Sequence, residues 1–452
     1  MLKGMSVAAT TLGCKVNQAE TDSMLDMLKA AGANIVEFDE KADIYIVNTC
    51  SVTNIADKKS RQMLHRARKM NPDGIVIAAG CYVQSAREIL EQDEAIDIVI
   101  SNNKKKSITE IVNDYINVRN NEKNAPGKDH EAMEYFVDIS RETEYEEMGG
   151  HVPVGHTRAY VKIQDGCNQF CSYCIIPYVR GRIRSRSQEA ILAEVSELAE
   201  AGIKEVVLTG IHISSYGKDK NNEGALIELI EAISKIKGIK RIRLGSLEPG
   251  IITEEFVEGI SSNSKVCPHF HLSLQSGCDS VLKRMNRKYT CEQYFEKCDM
   301  LRKAYKSPAL TTDVIVGFPG ETEEEFAETV RYLTELNLYE MHIFKYSPRK
   351  GTVAAAMKEQ VAPEIKNERS DVLLKLAHDN KTAYEAQFEG CELEVLVEEV
   401  VKKDNKTYLR GHTERYMDIL IDVGDISMPE SFVNSFVYVT YTQNGGNLPL
   451  LL

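Results

Sequence analysis

Short apolar runs alternate with amphipathic helical patterns over the first hundred residues of the chain. The runs cover residues 6–12, 43–47 and 74–79 and are rich in Val, Ile and Ala. Helical periodicity follows each run, at residues 19–31, 56–70 and 85–91. Strands that alternate with helices predict a parallel sheet with crossover helices. We therefore predict an N-terminal α/β domain over residues 3–115.

A second and longer alternation occupies residues 151–378. Between the two lies a polar, irregular stretch, residues 116–150, which is expected to be a linker or a wrapping segment. The strands of the second alternation are predicted at residues 160–164, 205–208, 241–245, 269–274, 312–316 and 341–346. Six strand–helix units in about 200 residues predict an open, partial version of the eight-unit α/β barrel.

The pattern changes again beyond residue 379, where turn residues separate runs that are typical of β-strands. These runs cover residues 392–401, 406–411, 417–421 and 432–442. They predict a small all-β barrel of the oligonucleotide-binding kind over residues 379–442.

The composition of the chain restricts the classes of partner that it can bind more than it restricts the fold. The chain has 452 residues and a net charge of −13, which argues against indiscriminate nucleic-acid binding. No apolar run is long enough to span a bilayer, and the N-terminus lacks the apolar stretch of a secretory signal. Eleven cysteines do not resemble a secreted disulfide framework. We expect a cytoplasmic monomer without a membrane or DNA partner.

Three cysteines, Cys167, Cys171 and Cys174, are spaced CxxxCxxC. Three thiolates on one short loop can ligate three irons of a 4Fe–4S cube, whereas ordinary electron-transfer clusters use four cysteines. The open fourth iron is what S-adenosylmethionine radical chemistry requires, because the amino and carboxylate groups of that cofactor occupy it. A zinc site is the alternative, but zinc loops use CxxC pairs with a fourth Cys or His nearby.

A second set of cysteines, Cys14, Cys50 and Cys81, shares one local context. Each closes a predicted strand of the N-terminal sheet. Ligands of an open parallel sheet bind just outside the carboxyl ends of its strands, so these three thiols are expected to converge. The sequence thus predicts a second metal cluster, and three unrelated buried thiols are the alternative reading.

Other strand ends of the predicted half-barrel carry polar groups toward the same mouth. Tyr173 precedes the last cysteine of the loop, where its ring could pack an adenine or simply fill space. His212 alone is expected to be structural. The candidate cofactor contacts are Tyr173, Gly210, Ser246, Glu248, Gln275 and Asp313.

Basic residues cluster in two places. Lys58, Arg61, His65 and Arg68 share one face of the helix that follows Cys50. Arg180, Arg182, Arg184 and Arg186 alternate after the cysteine loop, so they are expected on one side of an extended segment. Phosphates of an RNA or the carboxylate of a cofactor could be bound by either set.

Taken together, these motifs resemble those of the radical-SAM methylthiotransferases over essentially the whole chain. The segments that carry the resemblance are Thr11–Asp22, Asn48–Cys50, Ala79–Cys81, the cysteine loop with Ile175–Tyr178, and Val316–Thr322. Within that family, Leu12–Gln18 and Arg180–Arg186 look like the enzymes that act on N6-threonylcarbamoyladenosine in tRNA.

The resemblance implies an N-terminal cluster domain, a radical-SAM core and a C-terminal TRAM domain. It implies that Cys167, Cys171 and Cys174 hold the cluster that cleaves S-adenosylmethionine, with an external electron donor. The resulting 5′-deoxyadenosyl radical would abstract hydrogen from C2 of the adenine at position 37, in the anticodon loop. The second cluster, on Cys14, Cys50 and Cys81, would deliver sulfur, and a second S-adenosylmethionine would supply the methyl group.

One property of the chain departs from that family pattern. The TRAM domain is taken to grip tRNA, yet residues 379–442 hold 6 Lys and Arg against 13 Asp and Glu. We therefore expect the tRNA backbone to meet mainly the two basic stretches above. The barrel would add only a limited surface around Arg410, His412 and Arg415, with stacking by Tyr416.

Three alternative functions remain open from the sequence. The first is methylthiolation of isopentenyladenosine in tRNA. The second is methylthiolation of an aspartate in a ribosomal protein, for which an acidic barrel is physically reasonable. The third is a non-enzymatic iron–sulfur carrier or RNA-binding module.

Overall fold

A computed structural model describes residues 2–122, 133–150, 157–404, 406–424, 428–443 and 445–447. Within these residues no helix is both long and apolar enough to cross a membrane.

The N-terminal domain is a six-stranded parallel sheet with helices beside it. Its strand order is β2-β1-β3-β4-β5-β6. The central strands β3 and β4 are buried along their whole length, as near-continuous apolar runs in a parallel sheet require. The elements are β1 (Ser6–Thr11), α1 (Lys15–Ala30), β2 (Asn34–Val36), β3 (Ile44–Thr49), α2 (Asn54–Met70), β4 (Ile75–Gly80), α3 (Cys81–Ser85), α4 (Arg87–Glu91), β5 (Ile98–Ile100), α5 (Ile108–Glu122) and β6 (Met133–Tyr135).

The segment predicted as a linker belongs in part to this domain, which corrects that prediction. α5 continues to Glu122, and β6 pairs with β5 as the sixth strand. A later part of the segment packs on the next domain, as a wrapping segment would: the hydroxyl of Tyr145 donates to the carbonyl of Lys162 at 3.0 Å. A three-residue strand among polar residues is too short to give a periodic signal. Residues 123–132 and 151–156 lie outside the described part of the chain.

The second domain is a half-barrel of six parallel strands, as predicted. β7, β9 and β10 form one parallel sheet and β11, β12 and β13 another, and a parallel bridge between Leu247 and Leu272 joins them. The apolar core lies between the strands and the outer helices. The elements are β7 (Arg158–Asp165), α6 (Ile176–Val179), β8 (Arg184–Ser185), α7 (Gln188–Glu200), β9 (Glu205–Gly210), α8 (Ala225–Ser234), β10 (Arg241–Leu244), α9 (Glu254–Ser261), β11 (His269–His271), α10 (Asp279–Arg284), α11 (Cys291–Ala304), β12 (Ala309–Val316), α12 (Glu323–Leu336), β13 (Glu340–Lys345) and α13 (Pro363–Ala386).

The third domain is a small closed barrel, which confirms the predicted fold class. Its strand order is β14-β15-β16-β18-β17. The elements are β14 (Glu392–Lys403), β15 (Lys406–Thr413), β16 (Asp418–Asp422), β17 (Phe436–Thr442) and β18 (Gly445–Asn447).

This closed barrel sits against the N-terminal ends of the half-barrel strands. Arg241, the first residue of β10, donates to the Glu394 carboxylate at 2.9 Å. Tyr416 lies between the two domains, with its ring 4.8 Å from the guanidinium of Arg243 and stacked 4.4 Å from the ring of His412. The cysteine loop follows the other end of β7, so the closed barrel and the loop lie at opposite ends of the half-barrel.

Glu205 is the buried carboxylate at this junction. Arg243 donates to it at 2.8 Å, and Arg241 and Arg158 lie 3.8 and 4.0 Å away. Burial alone would raise the pKa of Glu205, but Arg243 and its neighbours offset that effect and hold the pKa below its ordinary value of 4.5.

We predict that Glu205→Gln lowers the free energy of unfolding by about 3 kcal/mol, because it leaves buried guanidinium groups without their carboxylate. The measurement is urea unfolding at neutral pH. Since the folded-state pKa is lowered, this stabilisation is present above pH 4.5 and is lost as the pH falls below it. The gap between wild type and variant should therefore close on acidification.

The control for this prediction is Glu399→Gln, which removes an exposed partner of Arg410 at 3.2 Å. It should cost less than about 1 kcal/mol. Equal losses in the two variants would contradict the buried-pair argument.

Candidate active site

The loop with Cys167, Cys171 and Cys174 follows β7 at the carboxyl end of the half-barrel. It turns at Gly166, whose φ is +72° and where a Cβ atom would lie 1.8 Å from the carbonyl oxygen of Arg182. Only glycine fits such a position. The amide of Gln169 points at Cys167 Sγ at 3.4 Å, and that of Cys174 donates to the carbonyl of Cys171 at 3.0 Å. The loop is thus a compact turn with its thiols close together.

Burial and repulsion from neighbouring thiolates keep the thiols of Cys167 and Cys174 protonated when no metal is bound. Desolvation is the larger cause and the neighbouring thiols add to it, raising the pKa of Cys167 to about 11 and that of Cys174 to about 12. Because thiolates are the ligands, metal binding at this loop must release protons.

Arg287 connects the loop to the ends of neighbouring strands. Its guanidinium donates to Cys171 Sγ at 3.3 Å and to the Glu248 carboxylate at 2.9 Å. His212 Nε2 lies 3.5 Å from the same carboxylate. Burial would raise the pKa of Glu248, but His212 and Arg287 hold it below the ordinary value. Glu248 is therefore an anion at the mouth of the half-barrel, beside the cysteine loop.

The other candidate cofactor contacts lie around the same mouth. Tyr173 packs edge-on against Phe318, with ring centroids 6.5 Å apart. Gln275 has φ +80°, an uncommon conformation for a residue other than glycine. Its backbone N–H donates to the carbonyl of Asp313 at 2.9 Å. Ser246 is exposed and Gly210 packs against Gln164. Their contact with a cofactor stays a prediction.

Cys14, Cys50 and Cys81 follow the carboxyl ends of β1, β3 and β4, which are neighbours in the parallel sheet. A Cβ atom at Gly13 would lie 2.7 Å from Cys50 Sγ, so the first two loops touch. Burial raises the pKa of Cys50 to about 11, with smaller contributions from Cys81 and Cys14. Burial also raises the pKa of Cys14; Arg180 opposes this effect, and Cys81 adds to it. The predicted convergence of the three thiols is therefore what the sheet produces.

The two cysteine sets meet across the interface between the first two domains. Ile175, the residue after Cys174, packs in one small apolar cluster with Cys81 and Val179. Asn102 donates to the carbonyl of Val179 at 2.7 Å. One interface thus contains both candidate clusters.

Arg349 holds the loop of Cys50 from the side of the half-barrel. It donates to Ser51 Oγ at 3.0 Å, to Asn54 Oδ1 at 2.8 Å and to the Asp57 carboxylate at 2.6 Å. The sequence analysis missed Arg349 and Arg287. Arg349 follows the end of β13, and that strand-end position could have singled it out. Nothing in its surroundings in the sequence distinguishes Arg287.

In the described part of the chain, only His271, Asp313 and His342 bring three possible metal-ligand atoms within 4.8 Å of one another.

Three of the arginines predicted to contact RNA are buried, which corrects that prediction. Arg180 and Arg184 have 0% and 1% of their surface exposed, and Arg186 has 4%. Arg186 pairs with Glu147 at 2.6 Å. The four side chains do not share one side, because the segment is not extended throughout. Arg180 follows α6 in a helical conformation, Gly181 has φ +70°, and the buried strand β8 covers only Arg184 and Ser185. Arg182 is exposed and lies 4.5 Å above the Phe170 ring.

Several other predicted RNA contacts already have protein partners. Arg68 pairs with Asp97, and Arg61 donates to the Tyr82 hydroxyl at 2.5 Å. Arg410 pairs with Asp418 at 2.8 Å, and Arg415 donates to the carbonyl of Ser307 at 3.0 Å. Lys58 is exposed on α2. Lys58 and Arg182 are thus the predicted contacts best placed to reach a phosphate.

A polar cavity of about 580 Å³ opens beside Cys14. It lies between α1, β7 and residues 145–149, and Glu398 of the closed barrel also lines it. Lys15, Arg158 and Lys162 are among its basic lining residues. The cavity therefore borders Cys14 at the place where the three domains meet.

Comparison with known proteins places these sites in a family. A model described as the Radical SAM superfamily matches residues 161–333, and one described as Uncharacterized protein family UPF0004 matches residues 6–101. The threonylcarbamoyladenosine tRNA methylthiotransferase MtaB of Bacillus subtilis (strain 168) is 40% identical over 92% of this chain and 90% of that protein. MtaB of Aquifex aeolicus (strain VF5) is 38% identical over 92% and 98%.

A relative with a different named substrate is nearly as similar. The tRNA-2-methylthio-N(6)-dimethylallyladenosine synthase of Thermoanaerobacter pseudethanolicus (strain ATCC 33223 / 39E) is 36% identical over 96% of this chain and 90% of that protein. Among solved structures, the radical S-adenosylmethionine methyltransferase TsrM from Kitasatospora setae aligns with a TM-score of 0.56 and 15% identity. That alignment covers 75% of this chain and 73% of TsrM, and it supports the fold alone.

The radical SAM superfamily implies a 4Fe–4S cluster and S-adenosylmethionine as cofactors. The donor set at the half-barrel mouth fits that group, because three clustered thiols lie beside the Arg287 guanidinium and leave a fourth iron open. With relatives at 36–40% identity over more than nine-tenths of its length, the chain belongs to the radical-SAM methylthiotransferase family.

Proposed function

We propose that the protein methylthiolates C2 of N6-threonylcarbamoyladenosine at position 37 of tRNA, with a second 4Fe–4S cluster on Cys14, Cys50 and Cys81. The observation that carries the proposal is the meeting of two three-cysteine sets at one domain interface, linked by Ile175 and Cys81. A 4Fe–4S cluster held by either set would have one iron without a protein ligand, so one open iron would serve S-adenosylmethionine and the other would serve sulfur.

The chemistry itself is supplied by the bound groups, which generate a carbon radical and provide sulfur and a methyl group. The residues of the chain position those groups and exclude water. Arg287 and Glu248 fix the mouth of the half-barrel beside Cys171, and Arg349 fixes the loop of Cys50. The tRNA anticodon loop, an external electron donor and a monomeric enzyme complete the proposal.

The inner wall of the half-barrel favours a polar substituent on the adenosine. Residues 270, 272 and 314 point outward into the apolar core, so His271 and Asp313, which alternate with them, point inward. His271 Nε2 lies 3.3 Å from Asp313, and the His271 and His342 rings stack 5.8 Å apart.

The chemistry of that wall supports the choice of the threonylcarbamoyl substrate. A threonylcarbamoyl group carries a carboxylate, a hydroxyl and an amide that could bind these polar side chains, whereas a dimethylallyl group offers them no hydrogen-bonding group. The relatives named for threonylcarbamoyladenosine at 40% and 38% identity support the same choice.

The direct test is mass spectrometry of tRNA nucleosides from strains with and without this gene. Loss of 2-methylthio-N6-threonylcarbamoyladenosine in the deletion strain is expected. Loss of the 2-methylthio form of dimethylallyladenosine instead would replace the proposed substrate, and an unchanged profile would favour a protein substrate.

We predict that the anaerobically reconstituted chain holds about eight irons and that Cys50→Ala retains about four. This variant should still release 5′-deoxyadenosine from S-adenosylmethionine on reduction but should form no methylthiolated tRNA. Cys291→Ala is the control, because Cys291 lies on α11, away from both sets, and it should match wild type. Four irons in the wild-type chain would contradict the second cluster.

We predict that His342→Phe lowers methylthiolation of threonylcarbamoyladenosine tRNA at least tenfold, because it removes a polar partner from the inner wall. Iron content should not change. His378→Phe changes an exposed histidine on α13 and should leave the rate at the wild-type level. Equal effects of the two substitutions would argue against a recognition role for His342.

We predict that Lys58→Glu combined with Arg182→Glu weakens tRNA binding. The slope of log affinity against log salt should fall by roughly one for each phosphate that the variant no longer neutralises. Binding is measured by filter retention across a salt series. The control is Lys375→Glu, whose side chain is 82% exposed on α13. A control that weakens binding as much would place the tRNA elsewhere.

A further inference from the structure

We propose that Arg180 is a positioning residue that joins the two cysteine sets and sets the reduction potential of the cluster on Cys14, Cys50 and Cys81. This inference rests on the proposed second cluster. It assigns a function to an arginine that sequence alone placed on the RNA surface and that the fold buries completely.

All the N–H groups of the Arg180 guanidinium face acceptors. Nε donates to Cys81 Sγ at 3.3 Å. One terminal nitrogen donates to Asp165 at 3.1 Å and to Glu20, and the other donates to Asn17 Oδ1 at 2.5 Å and to Glu20 at 3.1 Å. These five contacts use the five donors of the side chain.

The acceptors belong to the segments that carry the cluster ligands. Asn17 and Glu20 lie on α1, whose first residue follows Cys14. Asp165 ends β7, two residues before Cys167, and Cys81 is itself a ligand of the proposed cluster. A planar fork with fixed geometry therefore relates both cysteine sets to each other.

The charges around Arg180 are unbalanced in a way that favours an anion at Cys81. The buried cations are Arg180, Arg184, Lys105 and Lys162, and the buried anions are Glu20, Asp165 and Glu146. Four positive groups against three negative ones leave a positive excess even when Glu146 is ionised. A buried cation that donates to a ligand sulfur stabilises the thiolate and the extra electron of a reduced cluster.

A purely structural role predicts different results from a tuning role. If Arg180 only held the domains together, its replacement would lower stability and iron content without shifting the potential of any cluster that still assembled. If it tunes the cluster, the potential must move in chains that retain both clusters. Neither role changes the number of electrons that the cluster accepts or the surface that binds RNA, so the reduction potential is the property that separates the two roles.

The experiment compares Arg180→Gln and Arg180→Lys holoenzymes with wild type by potentiometric titration followed by electron paramagnetic resonance. Addition of S-adenosylmethionine identifies the cluster on Cys167, Cys171 and Cys174 by its changed spectrum, so the other signal reports the cluster beside Arg180. Arg180→Gln should shift that second midpoint to a more negative potential. It should also lower the yield of methylthiolated tRNA per 5′-deoxyadenosine about tenfold.

Arg180→Lys keeps the charge but loses the fork, so its potential should move less than that of Arg180→Gln while the yield per 5′-deoxyadenosine stays low. Arg182→Gln, an exposed neighbour, should leave both midpoints at wild-type values. An unchanged second midpoint in Arg180→Gln with about eight irons would overturn the inference alone. About four irons in the wild-type chain would instead overturn the proposed second cluster.

Should Arg180→Gln lose the second cluster, Asn17→Ala provides the deciding measurement. It removes one acceptor of the guanidinium and keeps the charge of Arg180, and it also removes the contacts of Asn17 Nδ2 with the carbonyls of Leu12 and Thr49. Displacement of the guanidinium should then alter the spectrum or midpoint of the cluster beside it. A wild-type spectrum and midpoint in Asn17→Ala would count against positioning through the fork.

Discussion

A fully buried ion network between α1 and β7 determines how the first two domains fit together. Lys162 donates to Glu20 and to Asp165, each at 2.7 Å, and Lys105 and Arg180 also pair with Glu20. Taking such charges out of water is costly, and the cost is offset only while each keeps its partners. A shift between the domains would leave charges buried and unpaired, so one arrangement is strongly preferred. Because each cysteine set belongs to one of these two domains, that arrangement also brings the two sets close together.

The acidity of the C-terminal barrel has its explanation in the same physics. Glu394 accepts from Arg241 at 2.9 Å, Glu398 accepts from Arg158 at 2.8 Å, and the carbonyl of Glu414 accepts from Arg243 at 2.9 Å. Strands β7 and β10 of the half-barrel begin with arginines, Arg158 and Arg241, and the closed barrel supplies acceptors for them. Part of its negative charge therefore serves docking to the neighbouring domain, which reconciles an acidic barrel with an RNA-modifying family.

The sequence was sufficient where the position of a residue follows from its place at the end of a strand. Cys14, Cys50 and Cys81 could be predicted to lie near one another because the carboxyl ends of parallel strands share one edge of the sheet. Sequence reasoning failed at Arg180, Arg184 and Arg186, because alternate residues share one side only where the backbone is extended. Here Arg180 follows α6 in a helical conformation and Gly181 has φ +70°. Arg349 acts across a domain interface on Ser51, which lies 298 positions earlier in the chain. Arg287 acts within the half-barrel but joins Cys171, 116 positions away, to Glu248. No local pattern encodes partners so far away in the chain.

The position of Tyr416 has a consequence for how the half-barrel is shielded from solvent. Its ring packs among Arg158, Arg243 and His412, so the closed barrel covers the N-terminal end of the half-barrel. If that end were uncovered, water and thiols from solution could reach a short-lived radical inside the half-barrel through it. By covering the N-terminal ends of the half-barrel strands, the closed barrel shields that end of the half-barrel from bulk water, a contribution independent of any grip on nucleic acid.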